Sequence, residues 1–116
     1  MVNRGHVTPL LLSDHGATPV HCPYELPLGL GRLGRPSARR SDPAAVPLPP
    51  GRTLLCYTDG VSEARDATGA FYPLAGRLTT LGTATPERLV SFLAHDVHEY
   101  AGLFADDLAV LALTRE

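Results

Sequence analysis

The sequence predicts an α+β fold built on antiparallel strands, and three observations lead there. Two short apolar runs flank a polar turn near the N-terminus. A strongly apolar strand ends at an Asp-Gly pair in the middle of the chain, and a capped amphipathic helix leads into a closing apolar strand. At 116 residues the chain is long enough for one small domain.

In the first run, Thr8–Ser13, three consecutive leucines (Leu10, Leu11, Leu12) precede the turn Asp14-His15-Gly16, and Thr18–Cys22 completes a hairpin. Pro27 to Gly31 and the Arg-rich stretch through Pro43 follow neither the helical nor the strand period, so both are expected as exposed loop. Ala45–Leu48 is expected as a strand, with Pro49-Pro50-Gly51 as a turn. Arg52–Thr58 (RTLLCYT) carries apolar side chains on both faces, which predicts a central strand buried on both sides. A short helix over Val61–Asp66, a turn at Ala67-Thr68-Gly69 and a second helix over Pro73–Leu81 come next. The clearest helix is Pro86–Tyr100. Thr85 is placed as N-cap, Pro86 at the first position and Glu87 where the helix dipole favours an anion, while Leu89, Phe92, Leu93 and Val97 share one face and Gly102 ends it. The last strand, Leu108–Thr114, is too apolar to be expected at an exposed edge. No internal repeat or second domain is visible.

Composition narrows the function. A hydrophobic fraction of 44% suits a protein that buries a core, and no apolar run approaches the roughly 18–20 residues that cross a bilayer. The N-terminus lacks the pattern of a signal peptide, so a cytoplasmic location is expected. A formal charge of −2 argues against nucleic-acid binding, which needs a basic surface. The basic cluster Arg32, Arg35, Arg39 and Arg40 reads as a solvated loop, the alternative being a patch for phosphate or an acidic partner. Two cysteines, Cys22 and Cys56, make no secreted-type disulfide framework, and Cys56 reads as a small buried hydrophobe.

Asp59 follows the C-terminal end of one strand, and Asp106 and Asp107 precede the start of another. If those strands are antiparallel neighbours, all three carboxylates gather at one edge of the sheet. Like charges held that close favour a neutralising cation, and hard ions such as Mg²⁺ and Mn²⁺ choose carboxylate and water ligands. Gly60 lets the backbone turn sharply, or approach a ligand, directly after the first carboxylate. The plainer alternative is an Asp-Gly turn and a solvated Asp-Asp loop. His95 and His98 stand at i and i+3 on a helix, a spacing that can bind zinc, but no third ligand is evident. YTDGVS superficially resembles the first motif of aspartate-nucleophile phosphatases, whose second Asp is replaced here by Val61. No Ser sits in a Gly-flanked nucleophile elbow.

Five segments, in order, are similar to the C-terminal half of the PPM-type metal-dependent protein phosphatases, in the branch of the sporulation stage II protein E (SpoIIE-like) phosphatases. They are GHVTPLLL (Gly5 to Leu12), PLGL (Pro27 to Leu30), PPGRTLLCYTDGVSEARDATGAFY (Pro49 to Tyr72), TPERLVSFLAHDV (Thr85 to Val97) and DDLAVLAL (Asp106 to Leu113). The resemblance implies part of a β-sandwich with outer helices. It implies Asp59 and Asp106 as ligands of one metal of a binuclear Mn²⁺ or Mg²⁺ centre, with Asp107 and Gly60 in supporting roles. It also implies hydrolysis of phosphoserine or phosphothreonine by a water held between two metals, without a phosphoenzyme. His6 is expected to organise its loop and Glu63 to order the segment after Asp59. The implied substrate is a phosphorylated regulatory protein of the anti-sigma-factor antagonist type.

The family's first metal motif, an Asp-Gly pair from the N-terminal half, has no counterpart here. The chain is therefore expected to be the C-terminal part of one phosphatase domain, truncated or split, with a complementing chain or a second copy covering the missing sheet. The alternative is a non-catalytic, phosphatase-derived module that acts through protein interaction.

Overall fold

The computed structural model describes residues 1–30, 41–102 and 107–116. Strand β1 (Leu10–Ser13) turns through Asp14 and His15 into β2 (Gly16–Pro19), forming the expected hairpin with the register Leu10↔Pro19 to Ser13↔Gly16. The second strand starts earlier than expected and stops at Pro19; the Val20 N–H still donates to the Pro9 carbonyl at 2.8 Å, but Pro9 has no N–H to return the bond. Strand β3 (Thr53–Tyr57) pairs antiparallel with β1 on one side and with β4 (Val110–Thr114) on the other, giving the sheet order β2-β1-β3-β4. The central position expected of RTLLCYT is thus observed.

Alternation divides the sheet into two faces. Leu10, Leu12, Ala17, Leu55, Tyr57, Val110 and Ala112 belong to the hydrophobic core under the helices. Leu11, Leu54, Cys56, Leu111 and Leu113 alternate with them and form the opposite face. The helices are α1 (Asp59–Ser62), α2 (Leu74–Leu81) and α3 (Pro86–Ala101). Thr85 caps α3 by accepting the Arg88 N–H at 3.3 Å, and Gly102, at φ 55°, ends it with its N–H on the His98 carbonyl. Leu89, Leu93, Val97 and Ala101 recur at helical spacing and are all buried in the core.

Three expectations are corrected. The helix placed over Val61–Asp66 is the single turn Asp59–Ser62; beyond it Arg65 bridges Phe71 across a tight hairpin. Ala45–Leu48 forms no strand, since Pro47, Pro49 and Pro50 deprive the segment of ladder donors. The closing strand is not shielded: β4 is the outer strand of the sheet, with Leu111 54% and Leu113 46% exposed, although its β3 partner Leu54 is only 9% exposed. Among the described residues no second layer covers that face. Cys56 is half-buried, and burial raises its thiol pKa.

The Arg65–Phe71 hairpin is held by Asp66, whose Oδ1 accepts from Thr68 N, Thr68 Oγ1 and Ala70 N at 2.6–3.0 Å; the Thr68 hydroxyl contributes most to lowering the Asp66 pKa. Beneath it, the buried Tyr72 donates to Asp96 Oδ2 at 2.5 Å, and Asp96 also pairs with Arg77 at 3.5 Å. Tyr72 and Tyr100 meet edge to face, and the Tyr100 hydroxyl donates to the Ala70 and Phe71 carbonyls at 3.2 Å. The segment after Asp59 is thereby fastened to both α2 and α3.

Candidate metal centre

The acidic edge is built by the crossing from β3 into α1. Thr58 is the last residue of RTLLCYT, and its N–H donates to the Ala109 carbonyl at 3.0 Å, extending the β3–β4 ladder by one pair. Its hydroxyl accepts the Ala109 N–H at 3.0 Å and donates to the Asp107 carbonyl at 3.4 Å. One threonine side chain thus fastens the start of β4 to the end of β3. Gly60 closes the same junction from the other side. A Cβ on it would lie 2.2 Å from the Asp107 carbonyl oxygen and 3.1 Å from its carbon, so only glycine lets the two backbones meet. The approach expected of Gly60 is therefore to backbone.

Asp59 is the first residue of α1 and is exposed, while its neighbour Val61 is fully buried and anchors the turn. The Asp59 carbonyl accepts the Glu63 N–H at 2.7 Å, which ends α1; Glu63 acts through its backbone. Asp107 is also exposed. The structure therefore brings the backbones of Asp59 and Asp107 to one edge, whereas Asp106, the second expected ligand, lies outside the described residues.

The chemistry of this edge suits a hard divalent cation, because exposed carboxylates and water are its ligands of choice. Among the described residues no group of three or more His, Cys, Asp or Glu is placed to hold a metal. His95 and His98 are both exposed on α3 and have no third ligand among the described residues. Beside the acidic edge a cavity of about 230 Å³ is lined by His6, Cys56, Tyr57, Thr58, Ala109 and Leu111, among others. Asn3 holds the His6 loop: its Oδ1 accepts the His6 N–H at 2.8 Å and its Nδ2 donates to the His6 carbonyl at 2.9 Å. A further cavity of about 360 Å³ lies at the opposite end of the sheet, between Ser13, Thr53, Thr114 and the start of α3. It is remote from Asp59 and Asp107 and is lined by Asp14 of the β1–β2 turn. The expected site residues included neither Thr58 nor Asn3; the only signals were a Thr directly before Asp59 and an Asn three residues before His6.

The described residues contain no helix long and apolar enough to cross a membrane. A search of curated proteins returned no match. Among solved structures the fold is similar to the SiaA-PP2C domain of Pseudomonas aeruginosa, with TM-score 0.67, 18% identity, and 94% of this chain covering 43% of that one. It is also similar to the RsbU and RsbW domains of Rv1364c from Mycobacterium tuberculosis, with TM-score 0.61, 29% identity, and 97% of this chain covering 31% of that one. The chain spans less than half the length of either structure. The α+β architecture is a partial PP2C-like fold. The family model of stage II sporulation protein E (SpoIIE) matches residues 1–116, and the chain belongs to that family.

Proposed function

We propose that residues 1–116 form the C-terminal part of a single metal-dependent protein serine/threonine phosphatase domain and supply one side of its metal centre. The observation that carries this reading is the junction at which Thr58 and Gly60 hold the Asp59 turn against the backbone of Asp107. Asp59 and Asp106 are the ligands in this reading, and Asp107 and Gly60 hold the backbone around them. Mn²⁺ or Mg²⁺ bound there would neutralise phosphoryl oxygens and acidify a water. The chain's own part is positional: buried Val61 fixes the turn, the Thr58 hydroxyl fixes the β4 start, and Asp59 and Asp107 stay open to solvent. Membership of the SpoIIE family and the likeness to the RsbU and RsbW domains support a phosphorylated regulatory protein, of the anti-sigma-factor antagonist type, as substrate.

The test is Mn²⁺-dependent hydrolysis of p-nitrophenyl phosphate by the purified chain, with Asp59→Asn as control. Hydrolysis that needs Mn²⁺ and is lost in the control supports the enzyme reading. Mn²⁺ binding without hydrolysis places the remaining ligands on a complementing polypeptide. A chain that neither hydrolyses nor binds Mn²⁺ leaves the second reading, a non-catalytic interaction module. That alternative is favoured by one observation, the short donor set among the described residues.

A further inference from the structure

Two threonines of the β3 segment fasten it to β4, one at each end of the pair. At the end remote from the carboxylates the hydroxyls of Thr53 and Thr114 meet at 2.8 Å. At the acidic end the bonding is of another kind. The register that sets Tyr57 opposite Val110 sets Thr58 opposite Ala109, and the Thr58 N–H reaches the Ala109 carbonyl at 3.0 Å. A hydrogen-bonded antiparallel pair returns that bond, here from the Ala109 N–H to the Thr58 carbonyl. The Thr58 carbonyl is instead turned to α1, where it accepts the Val61 N–H at 3.0 Å. The Thr58 hydroxyl takes its place in the ladder: it accepts the Ala109 N–H at 3.0 Å and directs its own proton to the Asp107 carbonyl at 3.4 Å. The chain can therefore leave β3 for the turn that carries Asp59 without releasing the start of β4.

We propose that the Thr58 hydroxyl is a positioning group for the metal centre: it holds Asp59 against the start of β4, and the affinity of the chain for Mn²⁺ depends on it. The role rests on the reading of the acidic edge as one side of a metal centre. A hydroxyl is both acceptor and donor; serine supplies the same two functions, and valine has nearly the shape of threonine with neither. Valine at position 58 leaves the Ala109 N–H without its acceptor and frees the Asp107 carbonyl, the group that Gly60 approaches from the other side. The Asp59 turn and the start of β4 then lose the side-chain bond between them, while Asp59 itself is unaltered.

Mn²⁺ titration of the 116-residue chain, followed by the free-ion electron paramagnetic resonance signal, tests the proposal across three variants. Thr58→Val should weaken binding at least about tenfold, the scale on which loss of a group that orients a ligand acts. Thr58→Ser should keep the parent affinity. Thr53→Val, which loosens the same strand pair at its other end, should leave it unchanged. Equal binding by Thr58→Val and the parent overturns the proposal and leaves the metal reading standing. So does a loss in Thr53→Val, or in Thr58→Ser, as large as in Thr58→Val. A parent that binds no Mn²⁺ overturns the metal reading and the proposal together. If Thr58→Val does not fold, the unaltered chain decides: by reciprocity of the coupling, saturating Mg²⁺ should slow exchange of the Ala109 amide proton relative to that of Leu113 in β4. An unchanged ratio overturns the proposal.

Discussion

Gly60 is where one methyl group reports on the whole junction. An added Cβ meets the Asp107 carbonyl, which is backbone and cannot swing aside, so Gly60→Ala must push the start of β4 away from Thr58. The expected loss is about 1–3 kcal/mol in urea unfolding. Gly76→Ala is the matched control: it lies in α2 with nothing within 4 Å of the added carbon, and should stabilise by roughly 0.5–1 kcal/mol. Tyr72 offers a second test. Tyr72→Phe removes a hydrogen bond to the Asp96 carboxylate, for an expected loss of about 1.5–3 kcal/mol. Burial, and then the bond to Asp96, raise the Tyr72 pKa well above its ordinary 10. The folded state therefore holds that proton more tightly than the unfolded chain. The stabilisation is complete below pH 10 and is lost as pH rises from there toward the folded pKa. Alkaline unfolding curves should show this steepening in the parent and less of it in Tyr72→Phe.

The elements differ in how plainly the sequence announced them. Helix α3 was legible because its signals agree: an N-capping Thr85, Pro86 at the first position, leucines and Val97 at helical spacing, and Gly102 at the end. Thr85→Ala should cost about 1 kcal/mol in thermal or urea unfolding, as loss of a single cap does. Strand β3 was legible from its unbroken apolar run, and the β1–β2 hairpin from its turn. Ala45–Leu48 misled because valine and leucine outweighed the prolines around them. The turn at Ala67-Thr68-Gly69 was legible, but the Arg65–Phe71 bridge around it was not, because Asp66 sets it through three local hydrogen bonds, which leave no periodic trace. Strand β4 was recognised, but its place was not: an apolar strand reads the same whether it is covered or waiting to be covered.

On the scale of the molecule, the sheet packs its helices on one face, and Leu55 and Leu93 are fully buried at that contact. Leu93→Ala should therefore cost about 2–5 kcal/mol, whereas Leu113→Ala on the bare face should cost far less in the monomer. The acidic edge was legible in outline, since strand ends alone put Asp59 and Asp107 within one region, while Asp106 lies outside the described residues. Its locking by Thr58 was not, because a side chain that bonds across 49 residues of sequence has no local signature.

Direct Mn²⁺ binding tests the central claim, followed by the loss of the free-ion electron paramagnetic resonance signal as the chain is titrated. The account predicts saturable binding that Asp59→Asn and Asp106→Asn each weaken at least about tenfold, as loss of metal-site partners does, and that Asp14→Asn in the remote β1–β2 turn leaves unchanged. Absence of saturable binding, or binding indifferent to both substitutions, would contradict it.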